Sequence, residues 1–216
     1  MTGHDFNLVE VAIGRRGTGK STWARERAGE LRKHAYVLVH DPSGGFPVRE
    51  GDAIYHSLSD LVIGVERNGG ACIHVLTDRH AIPSEFLRTA WRLSERSLAV
   101  HQKDPTPRGP IPVVAIFDEA ALLHLTEDPK EARAFKSVLL ETITTGRHIG
   151  AGVGLIMTTQ HANLLSYHAI EQVTMLVLFK ITGGLCFQKL RMADVPEDVL
   201  GEVKELSGHD FITWEP

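Results

Sequence analysis

The sequence predicts an α/β fold, a mostly parallel sheet covered by helices on both faces, in a single domain spanning residues 1–216. Three observations lead there. Short apolar runs alternate with helix-length amphipathic segments, the pattern of parallel strands joined by crossover helices. The first run passes into a glycine-rich segment, Gly14-Arg15-Arg16-Gly17-Thr18-Gly19-Lys20-Ser21, followed at once by a helix-like stretch from Thr22. Polar residues recur where later runs stop: Asp41, Asp118 with Glu119, and Gln160. A parallel sheet sets all of these along the carboxyl edge of its strands, where such folds bind ligands.

Leu8 to Ile13 is the first strand, and Ala24, Ala28 and Leu31 share one face of a helix ending near His34. Tyr36-Val37-Leu38-Val39 reads as a buried strand closed by the turn residues Asp41-Pro42-Ser43-Gly44-Gly45. His56 to Val65 reads as a weak helix, and Ala71 to Leu76 as another interior strand. Pro83-Ser84 starts a helix with Leu87, Ala90, Trp91 and Leu98 on one face, which makes Trp91 a core residue. Gln102 to Pro112 holds four prolines and a glycine, and reads as an exposed, mobile loop carrying Lys103 and Arg108.

Val113 to Phe117 is a strand with no polar residue. Asp128-Pro129-Lys130-Glu131 combines an N-cap, a first-turn proline and a capping-box acid; the helix continues through Ala132, Phe135 and Leu139 and stops at Gly146, just before Arg147. Strands follow at Val153 to Met157, closed by Thr158-Thr159-Gln160, and at Val173 to Ile181. Pro196 opens a last helix through Leu200, Val203 and Leu206, with Gly208 as its stop and Phe211 to Trp214 as a final strand.

Composition narrows the chemistry. The chain is 43% hydrophobic and 23% charged, as globular proteins are, and its net charge of −4 confines any polyanion site to a local surface. Cys72 and Cys186 both lie in apolar runs, which argues against a disulfide framework or thiolate metal site and fits a reducing compartment. The twelve histidines show no ligand spacing within one helix. The longest apolar run is too short to span a bilayer, so no membrane insertion is expected.

The glycine-rich segment has the chemistry of a polyphosphate cradle. Its glycines let successive N–H groups point inward, and the helix behind adds the positive end of its dipole. Gly14, Arg15, Arg16, Gly17, Thr18, Gly19, Lys20, Ser21 and Thr22 form the expected nucleotide-binding set. Lys20 reaches the β- and γ-phosphates, and the Ser21 hydroxyl is placed to ligate Mg²⁺. Asp118 after its apolar strand is the expected Mg²⁺-side carboxylate, acting through water. Glu119 is the candidate general base for polarising water, which tilts the reading toward ATP hydrolysis.

Together these motifs resemble the FtsK–HerA branch of the additional-strand, RecA-like P-loop ATPases, whose members pump DNA through ring assemblies. The resemblance covers the whole chain: the phosphate loop, the turn Asp41-Pro42-Ser43-Gly44, the Asp118-Glu119 pair, and Gly146-Arg147 leading to a strand that ends Thr159-Gln160. It implies that Gln160 senses the γ-phosphate and that Arg147 is a finger reaching a neighbouring subunit's nucleotide, with Arg79 as second candidate. Gly45 stands where cellular members often carry an acid. Arg15 and Arg16 replace small residues and are either phosphate contacts or solvated charges. His148 and His161 flank the presumed site.

In size the chain is similar to the compact genome-packaging ATPases of membrane-containing icosahedral viruses, having no room for the membrane spans and winged helix of FtsK or the barrel of HerA. That resemblance implies a ring homo-oligomer acting on double-stranded DNA without sequence preference, with a capsid or portal vertex protein as a further partner. Its place would be the host cytoplasm during assembly and the virion vertex. Lys103, Arg108, Lys130 and Arg133 are the candidate basic residues of pore loops. The readings that compete are a monomeric P-loop nucleotide switch, a small-molecule kinase, and a conjugative or cellular DNA pump of the same superfamily.

Overall fold

In the computed structural model, which describes residues 6–119, 129–161 and 170–216, eight strands form one sheet in the order β3-β4-β2-β5-β6-β1-β7-β8. The strands are β1 Val9–Ile13, β2 Tyr36–His40, β3 Ala53–Tyr55, β4 Ile73–Leu76, β5 Val113–Phe117, β6 Val153–Thr159, β7 Met175–Phe179 and β8 Phe211–Trp214. The pairings from β3 across to β7 are parallel, and β8 closes one edge antiparallel to β7. β6 lies between the phosphate-loop strand β1 and the Asp118 strand β5. That interposed strand is what the additional-strand expectation requires.

Connecting helices are α1 Lys20–Leu31, α2 Leu58–Asn68, α3 Pro83–Lys103, α4 Pro129–Thr145, α5 Gly184–Met192 and α6 Glu197–Glu205. Side chains alternate cleanly between the two sheet faces, as the pleat dictates. Val9, Val11 and Ile13 of β1 join one core with Leu61 of α2, Phe86 of α3, Phe135 of α4, Leu190 of α5 and Leu200 of α6. On the other face Val37, Ile73, Val114 and Ile156 pack against Ala24 and Ala28 of α1 and against Phe46. Both faces are covered, but very unequally, with α1 alone among the described helices on the second.

The N-cap Asp128 and the N-terminal approach to α4 lie outside the described residues. α3 runs to Lys103, two residues into the stretch expected as loop, and β6 extends to Thr159 rather than stopping at Met157. Trp91 is packed at the core margin and donates its indole N–H to Thr142 Oγ1 at 2.9 Å. Among the described residues no helix is long and apolar enough to cross a membrane.

Candidate functional site

β1 ends at the phosphate loop, and the loop is anchored by its neighbours: Gly14 N–H donates to Thr159 O at 3.2 Å and Arg15 N–H to Lys180 O at 3.0 Å. A side-chain carbon at Gly14 would come within 2.5 Å of Phe179 Cβ, so only glycine lets β7 approach this closely. Gly19 caps α1 with φ +98°, a left-handed conformation that L side chains rarely adopt. It supplies no side-chain cap, and the first turn of α1 carries no acidic residue. The free N–H groups and the dipole's positive end are therefore left for an anion.

Within the loop, Thr18 Oγ1 and Lys20 Nζ both donate to Arg15 O, at 2.9 and 3.1 Å. Lys20 is buried, and burial holds its pKa below the ordinary lysine value while the Glu119 and Asp118 charges pull it up. Arg15 and Arg16 are exposed, as is Thr22 just inside α1.

Across β6 from the loop, β5 delivers Asp118 and Glu119. Ser21 Oγ donates to Asp118 Oδ1 at 2.9 Å and lies 3.1 Å from Oδ2, so the two oxygen donors expected at one metal already share a site. Thr158 Oγ1 donates to Asp118 Oδ1 at 2.7 Å and accepts the Glu119 N–H at 2.8 Å. This residue ties the Asp118 carboxylate and the Glu119 backbone to β6. Asp118 is buried, which pushes its pKa up, against the Thr158 and Ser21 hydrogen bonds that favour its charged form. Glu119 sits at φ +58°, rare for a side chain of its size and a form of strain that persists only where surroundings enforce it. Gln160 supplies two such restraints, donating from its N–H to Glu119 Oε1 at 3.1 Å and from Nε2 to Oε2 at 2.8 Å.

Lys20, Ser21, Asp118, Glu119 and Gln160 are thus brought to one rim. Asp41 is on that rim but its carboxylate is used locally: it accepts from Ser43 Oγ, Gly45 N–H and Phe46 N–H at 2.9, 3.1 and 2.8 Å. Gly45 serves as a backbone donor within the turn.

Arg147 is not part of this cluster. It lies in the turn Gly146–His148 that leads into the start of β6, at the amino edge of the sheet, exposed and donating from Nε to His148 Nε2 at 3.0 Å. The expectation that His148 and His161 flank the site fails for His148, because a helix stop preceding a parallel strand falls at the far end of that strand. His161 does follow Gln160 on the carboxyl rim, where its N–H donates to Thr159 Oγ1 at 3.0 Å. Arg79 is exposed after β4, on the same rim as the loop but beyond β2, β5 and β6.

The four basic candidates divide by the same logic. Lys103 ends α3 and Arg108 precedes β5, at the amino edge, whereas Lys130 and Arg133 stand in the first turns of α4, at the carboxyl edge. Thr158 is the site residue that motif reading missed; its only sequence signal is a threonine where a buried apolar strand meets the rim.

The fold is similar to that of the genome-packaging NTPase B204 from Sulfolobus turreted icosahedral virus 2 in complex with AMPPCP, with TM-score 0.64 and 22% identity over 97% of this chain and 92% of that one. It is also similar to the conjugation coupling protein TcpA of pCW3 with ATPgS, TM-score 0.56 and 17% identity over 98% of this chain and 61% of that one. The cytoplasmic domain of the Thermomonospora curvata type VII secretion ATPase EccC matches with TM-score 0.57 and 14% identity, over 96% of this chain and 24% of that chain. At such identities the likeness is one of fold, and it agrees with the resemblance read from the motifs. No protein-family model and no curated protein matches the chain.

Proposed function

We propose that this chain is a Mg²⁺-dependent ATPase that turns hydrolysis into movement of double-stranded DNA, as one subunit of a ring that fills a viral capsid. The observation that carries the reading is the single hydrogen-bonded cluster Ser21–Asp118–Thr158–Glu119–Gln160 set beside Lys20 at the loop. Ser21 and Asp118 are hard oxygen donors suited to Mg²⁺, which when bound would neutralise charge on the β- and γ-phosphates. Lys20 would swing from Arg15 O to the same phosphates. Glu119 would hold and polarise the attacking water, and Gln160 would exchange its bonds to Glu119 for the γ-phosphate.

The proposed assembly rests on Arg147. At the amino edge it stands at the opposite end of β6 from its own loop, so a role in hydrolysis requires a second subunit. Heterologous contact that brings one subunit's amino edge to the next one's rim closes into a ring when the rotation permits. The similarity in fold to a viral genome-packaging NTPase supports the packaging role, with a capsid or portal vertex as docking partner and the host cytoplasm and virion vertex as its places of action. A conjugative DNA pump is the second reading, favoured by the likeness to TcpA.

Hydrolysis measured with and without duplex DNA tests this. The rate is expected to rise with DNA of any sequence at low salt and to lose that stimulation as salt rises, because phosphate contacts are screened. A stable monomer hydrolysing ATP at a rate indifferent to DNA would overturn the motor reading.

A further inference from the structure

We propose that a polar recess on the later turns of α1 is a second anion site, built for a phosphate with at most one ester bond and with Arg25 at its floor. It needs nothing from the phosphate loop. Arg25 and Gly29 lie four residues apart in α1, and Arg32 and Lys33 follow three and four residues later where the helix ends, so all four share one side of it. The segment between β2 and β3 is fastened against that side. Asp52 Oδ2 lies 3.0 Å from Arg25 Nη2 and also accepts the Arg49 N–H at 2.9 Å. Between helix and segment the recess encloses about 390 Å³. That volume, within the roughly 300–1,000 Å³ of small-molecule sites, holds a phosphate and the group that bears it.

Arg25 is a cation that the fold does not saturate. Its side chain is 7% exposed, yet its hydrogen bonding to Asp52 uses Nη2 alone. Nε is buried with no hydrogen-bond partner among the described residues. Nη1 turns toward Gly29, where an added side-chain carbon would lie 3.4 Å from it and meet nothing else within 4 Å. Glycine within a helix is unfavourable relative to alanine, and at this position it leaves the guanidinium uncovered. A guanidinium carries five N–H donors in a planar fork, so this one still has donors to give.

Charge around the recess decides what it takes. Of its three carboxylates, Glu26 is paired with Arg49 and Glu30 with Arg27. Among the described residues Glu50, Arg32 and Lys33 form no ion pair, and Arg32 reaches only the Ala71 carbonyl, at 3.4 Å. Two uncommitted cations and the open side of Arg25 thus face one uncommitted carboxylate, which favours an anion. Depth then selects its form. A phosphodiester is flanked by sugars on both sides and is kept from a floor as buried as Arg25, whereas a monoester or free phosphate presents three oxygens on one projecting group.

Calorimetric titration with inorganic phosphate, run on a Lys20→Ala chain so that the loop does not mask the recess, tests this. Phosphate should bind, and adding Arg25→Lys, which keeps a charge beside Asp52 but loses the fork, should weaken it about tenfold. Adding Arg32→Ala with Lys33→Ala should weaken it about threefold or more without disturbing the Arg25–Asp52 pair. Duplexes of one sequence with 5′-phosphate or 5′-hydroxyl ends separate the sources. A tighter 5′-phosphate duplex, by a margin that Arg25→Lys removes, assigns the site to DNA ends; equal duplexes beside Arg25-dependent phosphate binding assign it to free phosphate, and either result supports the site. Absence of phosphate binding, or an affinity unchanged by both sets of substitutions, would overturn it. Displacement of bound phosphate by the 5′-hydroxyl duplex would overturn the restriction to terminal phosphate.

Discussion

Gln160 donates to both carboxylate oxygens of Glu119, from its backbone N–H and from Nε2, so the proposed base and the proposed sensor restrain each other. In the proposed mechanism Glu119 orients water once Gln160 turns to another acceptor. Glu119→Gln retains shape but not basicity, and is expected to bind ATP as the parent does while losing ~10²-fold or more in kcat. Gln160→Ala frees Glu119 yet removes the group that would report the γ-phosphate; kcat should fall about tenfold or more with KM for ATP within about threefold. Steady-state kinetics with both variants decide it. Turnover by Glu119→Gln at the parent rate would remove Glu119 from the base role.

Thr158 makes a separate prediction, because one hydroxyl serves two residues. Thr158→Val keeps the volume but takes the donor from Asp118 and leaves the Glu119 N–H without its acceptor. An orphaned buried donor costs about 1–3 kcal/mol, and the left-handed backbone at Glu119 loses a restraint. A lowered thermal midpoint and a reduced kcat are expected together, with Thr158→Ser restoring both. A Thr158→Val protein with parental kcat would show that the hydroxyl serves stability alone.

These two cases show how far the sequence reaches. Asp118 and Glu119 were legible because Val113 to Phe117 is an unbroken apolar run, so the first polar residues after it must emerge at an edge. The role of Thr158 was not, because it depends on the pairing of β5 with β6, a register set in three dimensions. β3 left no apolar signature: it is three residues long at the sheet edge, with Ile54 facing solvent. α5 begins at Gly184 and exposes Leu185 and Met192, which blurs the periodicity that Cys186, Phe187 and Leu190 would otherwise show. The edge on which Arg147 falls follows from topology once β6 is known to run parallel to β1.

Asp118 carries a pH signature. Burial raises its pKa above the ordinary carboxylate value of about 3.9, so the folded chain favours its neutral form more than the unfolded chain does. Its charge therefore destabilises the nucleotide-free fold above the raised pKa, and the handicap fades as pH falls through it. Asp118→Asn never carries that charge. Its thermal midpoint relative to the parent, measured without Mg²⁺ or nucleotide, should rise as pH climbs from the ordinary carboxylate value through the raised Asp118 pKa, and level off above it. Differential scanning across that range checks the slope, and a difference that falls with pH would contradict a raised Asp118.

Arg147 supplies the test of assembly. Its guanidinium is exposed beside His148 at the amino edge, whereas Lys20 and Glu119 lie on the carboxyl rim of the same sheet. A guanidinium fixed at the transferring phosphoryl group can be worth ~10³-fold or more in rate, and one placed here could act only on a neighbour. Arg147→Ala and Lys20→Ala subunits should each be nearly inactive alone. Mixed, they should recover hydrolysis, because some interfaces then pair a sound loop with a sound arginine, and the recovered rate should peak at intermediate ratios. Scattering-derived mass shows whether the mixtures assemble. Intact rings with no recovery at any ratio would place the finger elsewhere, and Arg79, exposed on the carboxyl rim, is the next residue to substitute.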